Sequence, residues 1–236
     1  MRILVTNDDG ITSPILPFLV EQASRLGEVT VVAPATEQSG MSHAIDFTHP
    51  QEIKPVDIPH AARAFSMTST PADCVRFAVL GLGTHYDLVL SGINRGLNLG
   101  RDIVYSGTVG AIFEAWRLDM KGVALSCDPS DFAPARERLG EVYRYFAEHD
   151  LLSLCPLYNV NIPRGNGDIR MTRQGGIYFA DRFVRREGHI YVQEGEPLPC
   201  DALDLTVDLD CIHRGHISIT PLVGDLTCHS ALDALK

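Results

Sequence analysis

The sequence predicts an α/β protein built on a doubly wound, mainly parallel sheet. Three observations carry that expectation: short apolar runs recur along the first 163 residues, helical stretches separate them, and the runs lack polar alternation. Strands of that kind are covered by helices on both faces.

The first strand is "RILVT", residues 2–6. Ser13 and Pro14 then offer an N-cap and a first-turn proline for a helix that Gly27 stops. Within that helix Ile15, Leu16, Leu19, Val20, Ala23 and Leu26 share a face at helical spacing, with Glu21 and Arg25 elsewhere. "VTVVA", residues 29–33, is the second strand, and strand, helix, strand at this length implies a right-handed parallel crossover. Residues 44–67, rich in His and Pro, read as a hairpin or excursion at the sheet's edge. Thr70 caps the next helix, with Pro71 at its first position and Asp73 in its first turn, and that helix runs to about residue 80. Residues 87–90 form a strand ending in Ser91-Gly92, a glycine-rich loop follows, and Thr108 opens the helix "VGAIFEAWRLDM". Residues 123–126 are strand, 134–146 helix and 158–162 strand, which continues the doubly wound alternation.

Beyond Pro163 the pattern changes. Residues 177–183 and 189–192 flank "RREG" as a β-hairpin, and residues 216–220 form a last strand. The expected organisation is one domain over 1–236, with a core at about 1–163 and a mainly β extension at about 164–236 that serves subunit contacts.

The bulk composition narrows the function. With 45% hydrophobic residues the chain can bury one sizeable core. Subtracting 30 acidic from 20 basic residues leaves a net charge of −10 with no basic stripe, which argues against long nucleic acid as a partner. The apolar run from Ile3 to Val5 is too short for a signal peptide or a membrane span, so no membrane is expected and the cytoplasm is the expected location. Six cysteines (Cys74, Cys127, Cys155, Cys200, Cys211 and Cys228) contain no C-x-x-C and read as buried thiols.

Chemistry concentrates where strands end. Asn7-Asp8-Asp9-Gly10 follows the first strand, Glu37-Gln38-Ser39-Gly40 the second, and Ser91-Gly92-Ile93-Asn94 the later one. In open parallel sheets these carboxyl-end loops converge on one crevice. Consecutive strand residues point to opposite faces, so Asp8 and Asp9 can share a ligand only if the chain turns beside them, and Gly10 permits that turn. Two adjacent carboxylates repel unless one takes a proton or a cation lies between them. Ser39 and Asn94 would complete an all-oxygen shell, which favours Mg²⁺ or Mn²⁺ over zinc. An ordinary solvated turn accounts for Asp-Asp-Gly taken alone; the coincidence of three clusters favours the metal.

In "VYSGTVGA", residues 104–111, Ser106, Gly107 and Thr108 stand where a helix begins, so free N–H groups and two hydroxyls could hold a phosphate. Plain capping by Ser106 or Thr108 is the alternative. No Walker A motif occurs, and "GLGTHY" fails the dinucleotide fingerprint. Asn7 and His43 are accessory candidates, and Trp116 reads as core.

The stretches "RILVTNDDGI", "APATEQSGMSHAI", "TPADCVRFA", "DLVLSGINRGLNLGRDIVYSGTVGAIFEA" and "GHISITPLVGDLT" together resemble the survival protein SurE family, over residues 2 to about 227. The resemblance implies a Rossmann-like fold and a divalent-metal phosphomonoesterase of nucleoside 5′- and 3′-monophosphates, with polyphosphate as a further substrate. It implies one metal ion per subunit, Mg²⁺ or Mn²⁺, on Asp8, Asp9, Ser39 and Asn94. It also implies that Asp8 and Asp9 are catalytic, that phosphate contacts Ser106, Gly107 and Thr108 with Asn98 beside them, and that a C-terminal arm is exchanged in a homodimer or homotetramer. This chain departs from the family pattern at Ser69-Thr70-Pro71, Val207-Asp208 and His216. Two other readings compete. A zinc deacetylase would need histidines flanking Asp8 and Asp9, and none stand there; a nucleotide- or polyphosphate-binding regulator would use the metal without turnover.

Overall fold

Ile3, Leu4 and Val5 are fully buried in β1 (Arg2–Thr6), which therefore lies inside a sheet covered on both faces. A computed structural model of the chain describes residues 1–199 and 204–235; Cys200 lies outside them. β1 pairs in parallel with β2 (Glu28–Pro34) on one side and β5 (Leu88–Arg95) on the other. Beyond β2 come β4 (Arg63–Met67), parallel, and β3 (Ile53–Pro55), antiparallel, so residues 44–67 do supply the edge of the sheet. Beyond β5 come β6 (Lys121–Cys127) and β7 (Leu157–Ile162), both parallel. The chain builds outward from β1 to β2 and β4, then returns to the opposite side of β1. That reversal creates a switch point between β1 and β5, the place where open α/β sheets hold ligands.

Alternating residues of β1 explain the two helical layers. Ile3 and Val5 pack with Leu16, Leu19 and Val20 of α1 (Leu16–Ser24) and with Leu139 and Val142 of α4 (Ala133–Glu148). Leu4 packs on the other face with Cys74 and Val75 of α2 (Pro71–Arg76) and Ala111 and Ala115 of α3 (Gly107–Arg117). Thr70 caps α2 as expected, accepting from the Asp73 N–H at 3.1 Å, and residues Phe77–Gly81 continue it as a π-helical turn. α1 differs from the expectation: it starts at Leu16 with Pro17 in its first turn, while Ser13 lies in the preceding turn on a cavity wall. Trp116 also differs, being 38% exposed rather than core.

The sheet does not stop at Ile162. β11 (His216–Leu222) pairs antiparallel with β7, and β8 (Gly167–Met171) adds to β11 in parallel, giving nine strands in one sheet among the described residues. β8 escapes the sequence pattern because "GDIRM" has no apolar run. β9 (Phe179–Arg185) and β10 (Tyr191–Pro197) form a separate antiparallel hairpin, displaced by two residues from the expected start of its first strand. Three short helices complete the chain: α5 (Leu151–Leu154), α6 (Asp208–His213) and α7 (His229–Asp233). No helix among the described residues is long and apolar enough to cross a membrane.

Candidate metal and phosphate site

β1 carries the chain to the switch point, and Asn7 turns it there. Its Nδ2 donates to the Gly10 carbonyl at 2.9 Å, and the Gly10 N–H donates back to Asn7 Oδ1 at 3.1 Å. Gly10 has φ +93°, and a Cβ there would lie 3.2 Å from the Thr36 carbonyl carbon, so glycine closes this turn without strain. The bend brings both Asp8 and Asp9 onto one cavity of about 630 Å³, which Ser39, Asn94, Asn98 and Ser106 also line. Asn7, fully buried, shapes the turn.

Asp8 is 5% exposed, and its Oδ1 accepts the Thr108 hydroxyl at 2.6 Å. Burial pushes its carboxyl pKa up, against the pull of the Thr108 hydroxyl and N–H at the positive end of α3. Burial and then repulsion by Asp8 push Asp9 up to about 6, although the Arg95 N–H donates to its Oδ2 at 3.3 Å. Ser39 donates its hydroxyl to Glu37 Oε1 at 2.6 Å, which leaves its lone pairs available. Asn94 lies just past an irregularity in the β5–β6 register, the kind of bulge that re-aims a side chain. Its Nδ2 donates to the Gly96 carbonyl at 2.9 Å, which leaves Oδ1 as the atom that could hold a cation.

These donors fit a hard divalent cation. Two carboxylates whose ionisation is opposed by burial and by each other gain most from a positive charge, and a hydroxyl and an amide oxygen complete the set. Among the described residues no three His, Cys, Asp or Glu side chains cluster in a metal-holding arrangement.

The turn at Ser106 divides its residues between two tasks. Ser106 caps α3, accepting from the Val109 N–H at 3.1 Å, and lines the cavity. Gly107 packs on Asp8, where a Cβ would stand 3.1 Å from the Asp8 Cβ. Thr108 is fully buried with its hydroxyl on Asp8, so that side chain steadies a carboxylate. Asn98 is fixed on the wall by Asn161 Oδ1, which accepts its N–H at 2.8 Å, and by Ser126 Oγ, which accepts its Nδ2 at 2.8 Å.

His43 lies elsewhere. Its Nε2 is 2.8 Å from Glu114 Oε2, and it borders a second cavity. Arg76 and Arg117 each reach Glu114 Oε1 at 3.0 Å. Burial opposes the ionisation of Glu114, yet His43, Arg76 and Arg117 hold its carboxyl below the usual range. His43 thus tethers the loop carrying Ser39 to α3.

The cavity wall also carries Glu37, which the sequence offers only as part of a strand-end cluster, and Asp102, Tyr178 and Phe179, which it does not offer as site residues. Glu37 and Asp102 stand inside the quoted motif stretches; Tyr178 and Phe179 carry no local signal, because tertiary contacts bring them in.

Comparison with known proteins finds relatives that span the whole chain. The family model "Survival protein SurE" matches residues 3–181. A protein of Syntrophobacter fumaroxidans named 5′-nucleotidase SurE is 37% identical over 247 residues, covering 100% of this chain and 98% of the relative. The 5′-nucleotidase SurE 1 of Thermus thermophilus is 40% identical over 254 residues, covering 100% and 97% respectively. Among solved structures, the SurE protein from Aquifex aeolicus superposes with a TM-score of 0.82 at 32% identity, covering 100% of this chain and 98% of that one.

Proposed function

This chain belongs to the survival protein SurE family, and on that footing we propose how it works as a 5′-nucleotidase, cleaving nucleoside 5′-monophosphates to nucleoside and phosphate. In this reading one divalent cation, Mg²⁺ or Mn²⁺, is held by Asp8, Asp9, Ser39 and Asn94. The supporting observation is that these four oxygen-bearing side chains line one cavity at the switch point, two of them as mutually repelling carboxylates. When bound, such a cation supplies Lewis-acid polarisation of a phosphoryl oxygen and a lowered pKa for bound water.

The chain's own residues divide the remaining work. Asp8, anchored by Thr108, keeps its carboxylate fixed. Asp9 is the less buried of the two, so it is the group that orients the attacking water and takes its proton. Ser106 at the start of α3 and Asn98 on the wall hold phosphate oxygens, an effect worth roughly 3 kcal/mol per well-aimed donor.

The same reading places the enzyme in the cytoplasm, and the free thiols of all five described cysteines support this. It assembles as a homodimer or homotetramer through the segment after residue 163. In support, the β9–β10 hairpin stands apart from the main sheet and leaves Phe183 72% exposed.

The test is phosphate release from 5′-AMP by purified protein with Mn²⁺, with and without EDTA. Release that EDTA stops and excess Mn²⁺ restores, and that a folded Asp8→Asn variant lacks, supports the assignment. Release indifferent to EDTA would remove the cation from the reaction, and binding without turnover would make the chain a nucleotide-binding regulator.

A further inference from the structure

The cavity does not end at the carboxylates. Its lining also includes four aromatic residues, Tyr105, Phe132, Tyr178 and Phe179, and chemistry at phosphorus has no use for them. Tyr178 and Phe179 meet edge to face, with ring centroids 4.7 Å apart and planes at 67°. Phe179 is 37% exposed, so part of this apolar surface is open to a ligand.

One carboxylate anchors the backbone of both residues. Asp102 Oδ2 accepts the N–H groups of both Tyr178 and Phe179 at 2.9 Å. Asp102 belongs to the 3₁₀ segment Gly100–Tyr105, which leads directly into Ser106 at the phosphate end. The same segment is stitched to the loop just before Tyr178 at other points: the Arg101 N–H donates to the Gly176 carbonyl at 2.8 Å, and Asp208 accepts from Gly100 N and Gly175 N at 2.9 and 2.8 Å. Gly100 has φ +54°, and a Cβ there would collide with the Gly176 carbonyl oxygen, so glycine permits this close approach. The aromatic pair is therefore fixed relative to the segment that leads into Ser106.

A nucleoside monophosphate has matching ends, a charged phosphate and a flat base, and a cavity of about 630 Å³ has room for both. We propose that Tyr178 and Phe179 are the platform on which the nucleobase stacks, and that Asp102 is the positioning residue that sets the platform relative to Ser106. This rests on the nucleotidase reading and names what makes a nucleotide, rather than any phosphomonoester, the preferred substrate.

The experiment compares kcat/KM for 5′-AMP with that for ribose 5-phosphate, which lacks a base. Phe179→Ala and Tyr178→Ala are expected to lower the AMP-to-ribose 5-phosphate ratio by roughly tenfold or more, through KM for AMP, as losses of base–aromatic stacking do. Phe179→Trp keeps a stacking face and should keep the ratio. Asp102→Ala should lower the ratio, and Asp102→Asn, which retains an acceptor oxygen, should restore most of it. An unchanged ratio in folded Phe179→Ala and Tyr178→Ala would overturn the platform. Wild-type protein inert toward AMP would instead overturn the nucleotidase reading beneath it, so the two failures are distinguishable.

Discussion

Replacing Thr108 with valine removes one oxygen and keeps the shape of a fully buried side chain. The oxygen removed donates to Asp8 Oδ1 at 2.6 Å, a short bond to a carboxylate shielded from water. Hydrogen bonds to charged groups contribute about 1.5–3 kcal/mol. If that stabilisation belongs to the ionised Asp8 that binds metal, its loss weakens Mn²⁺ binding roughly 10- to 150-fold, at 1.4 kcal/mol per factor of ten. Losses of about 10- to 100-fold are typical when the partner of a metal ligand is removed. The direction with pH follows as well. Without the Thr108 hydroxyl the Asp8 carboxyl holds its proton more tightly, so proton competes with metal more strongly at about pH 6 than at about pH 8. Isothermal titration with Mn²⁺, together with the Mn²⁺ dependence of phosphate release from 5′-AMP, reads both effects. A folded Thr108→Val with wild-type Mn²⁺ affinity at both pH values would refute the assignment of Thr108 as the anchor of Asp8.

Three further substitutions test other parts of the site. Asp9 has a folded pKa of about 6 against an ordinary 3.8, so in chelated protein its contribution to stability is present below about pH 4 and lost as pH rises through about 6. Two units correspond to about 3 kcal/mol for a group wholly out of water, and partial exposure reduces this to about 1–2 kcal/mol. Asp9→Asn should gain that amount on wild type between about pH 4 and pH 7 in urea unfolding; a difference constant with pH contradicts the reasoning. Gly10→Ala forces a Cβ toward the Thr36 carbonyl carbon at φ +93° and should cost about 1–3 kcal/mol while lowering phosphate release, whereas wild-type values for both would show that the turn is not strained by a side chain. Glu114→Ala strips His43, Arg76 and Arg117 of a shared buried carboxylate and should cost about 2–3 kcal/mol by denaturant unfolding; an equally stable variant would mean the cluster does not hold the Ser39 loop.

The convergence of the strand ends on one cavity was legible because its signal is local. Asn7 to Gly10, Ser39 and Asn94 each follow an apolar run, and the parallel sheet brings such positions together whatever lies between them. The helix at Thr70 was legible for the same reason, since cap, proline and first-turn acid lie within four residues. Three features were not. Thr108 stands at a helix start in the sequence, and nothing there shows that its hydroxyl points to Asp8 and not to a ligand. β8 has no apolar run and gains its place by pairing with β11, about 50 residues later in the chain. Tyr178 and Phe179 reach the cavity through Asp102, over 70 residues earlier in the chain, and Asp208 adds a second anchor through Gly100 and Gly175. Such long-range backbone-to-carboxylate bonds leave no periodic trace in a sequence.

Where a divalent ion sits decides how the site works, and anomalous scattering from crystals soaked in Mn²⁺ tests that most directly. A single peak enclosed by the oxygens of Asp8, Asp9, Ser39 and Asn94 is the predicted result. A peak held by other residues, or none at saturating Mn²⁺ in protein that still releases phosphate from 5′-AMP, would contradict it.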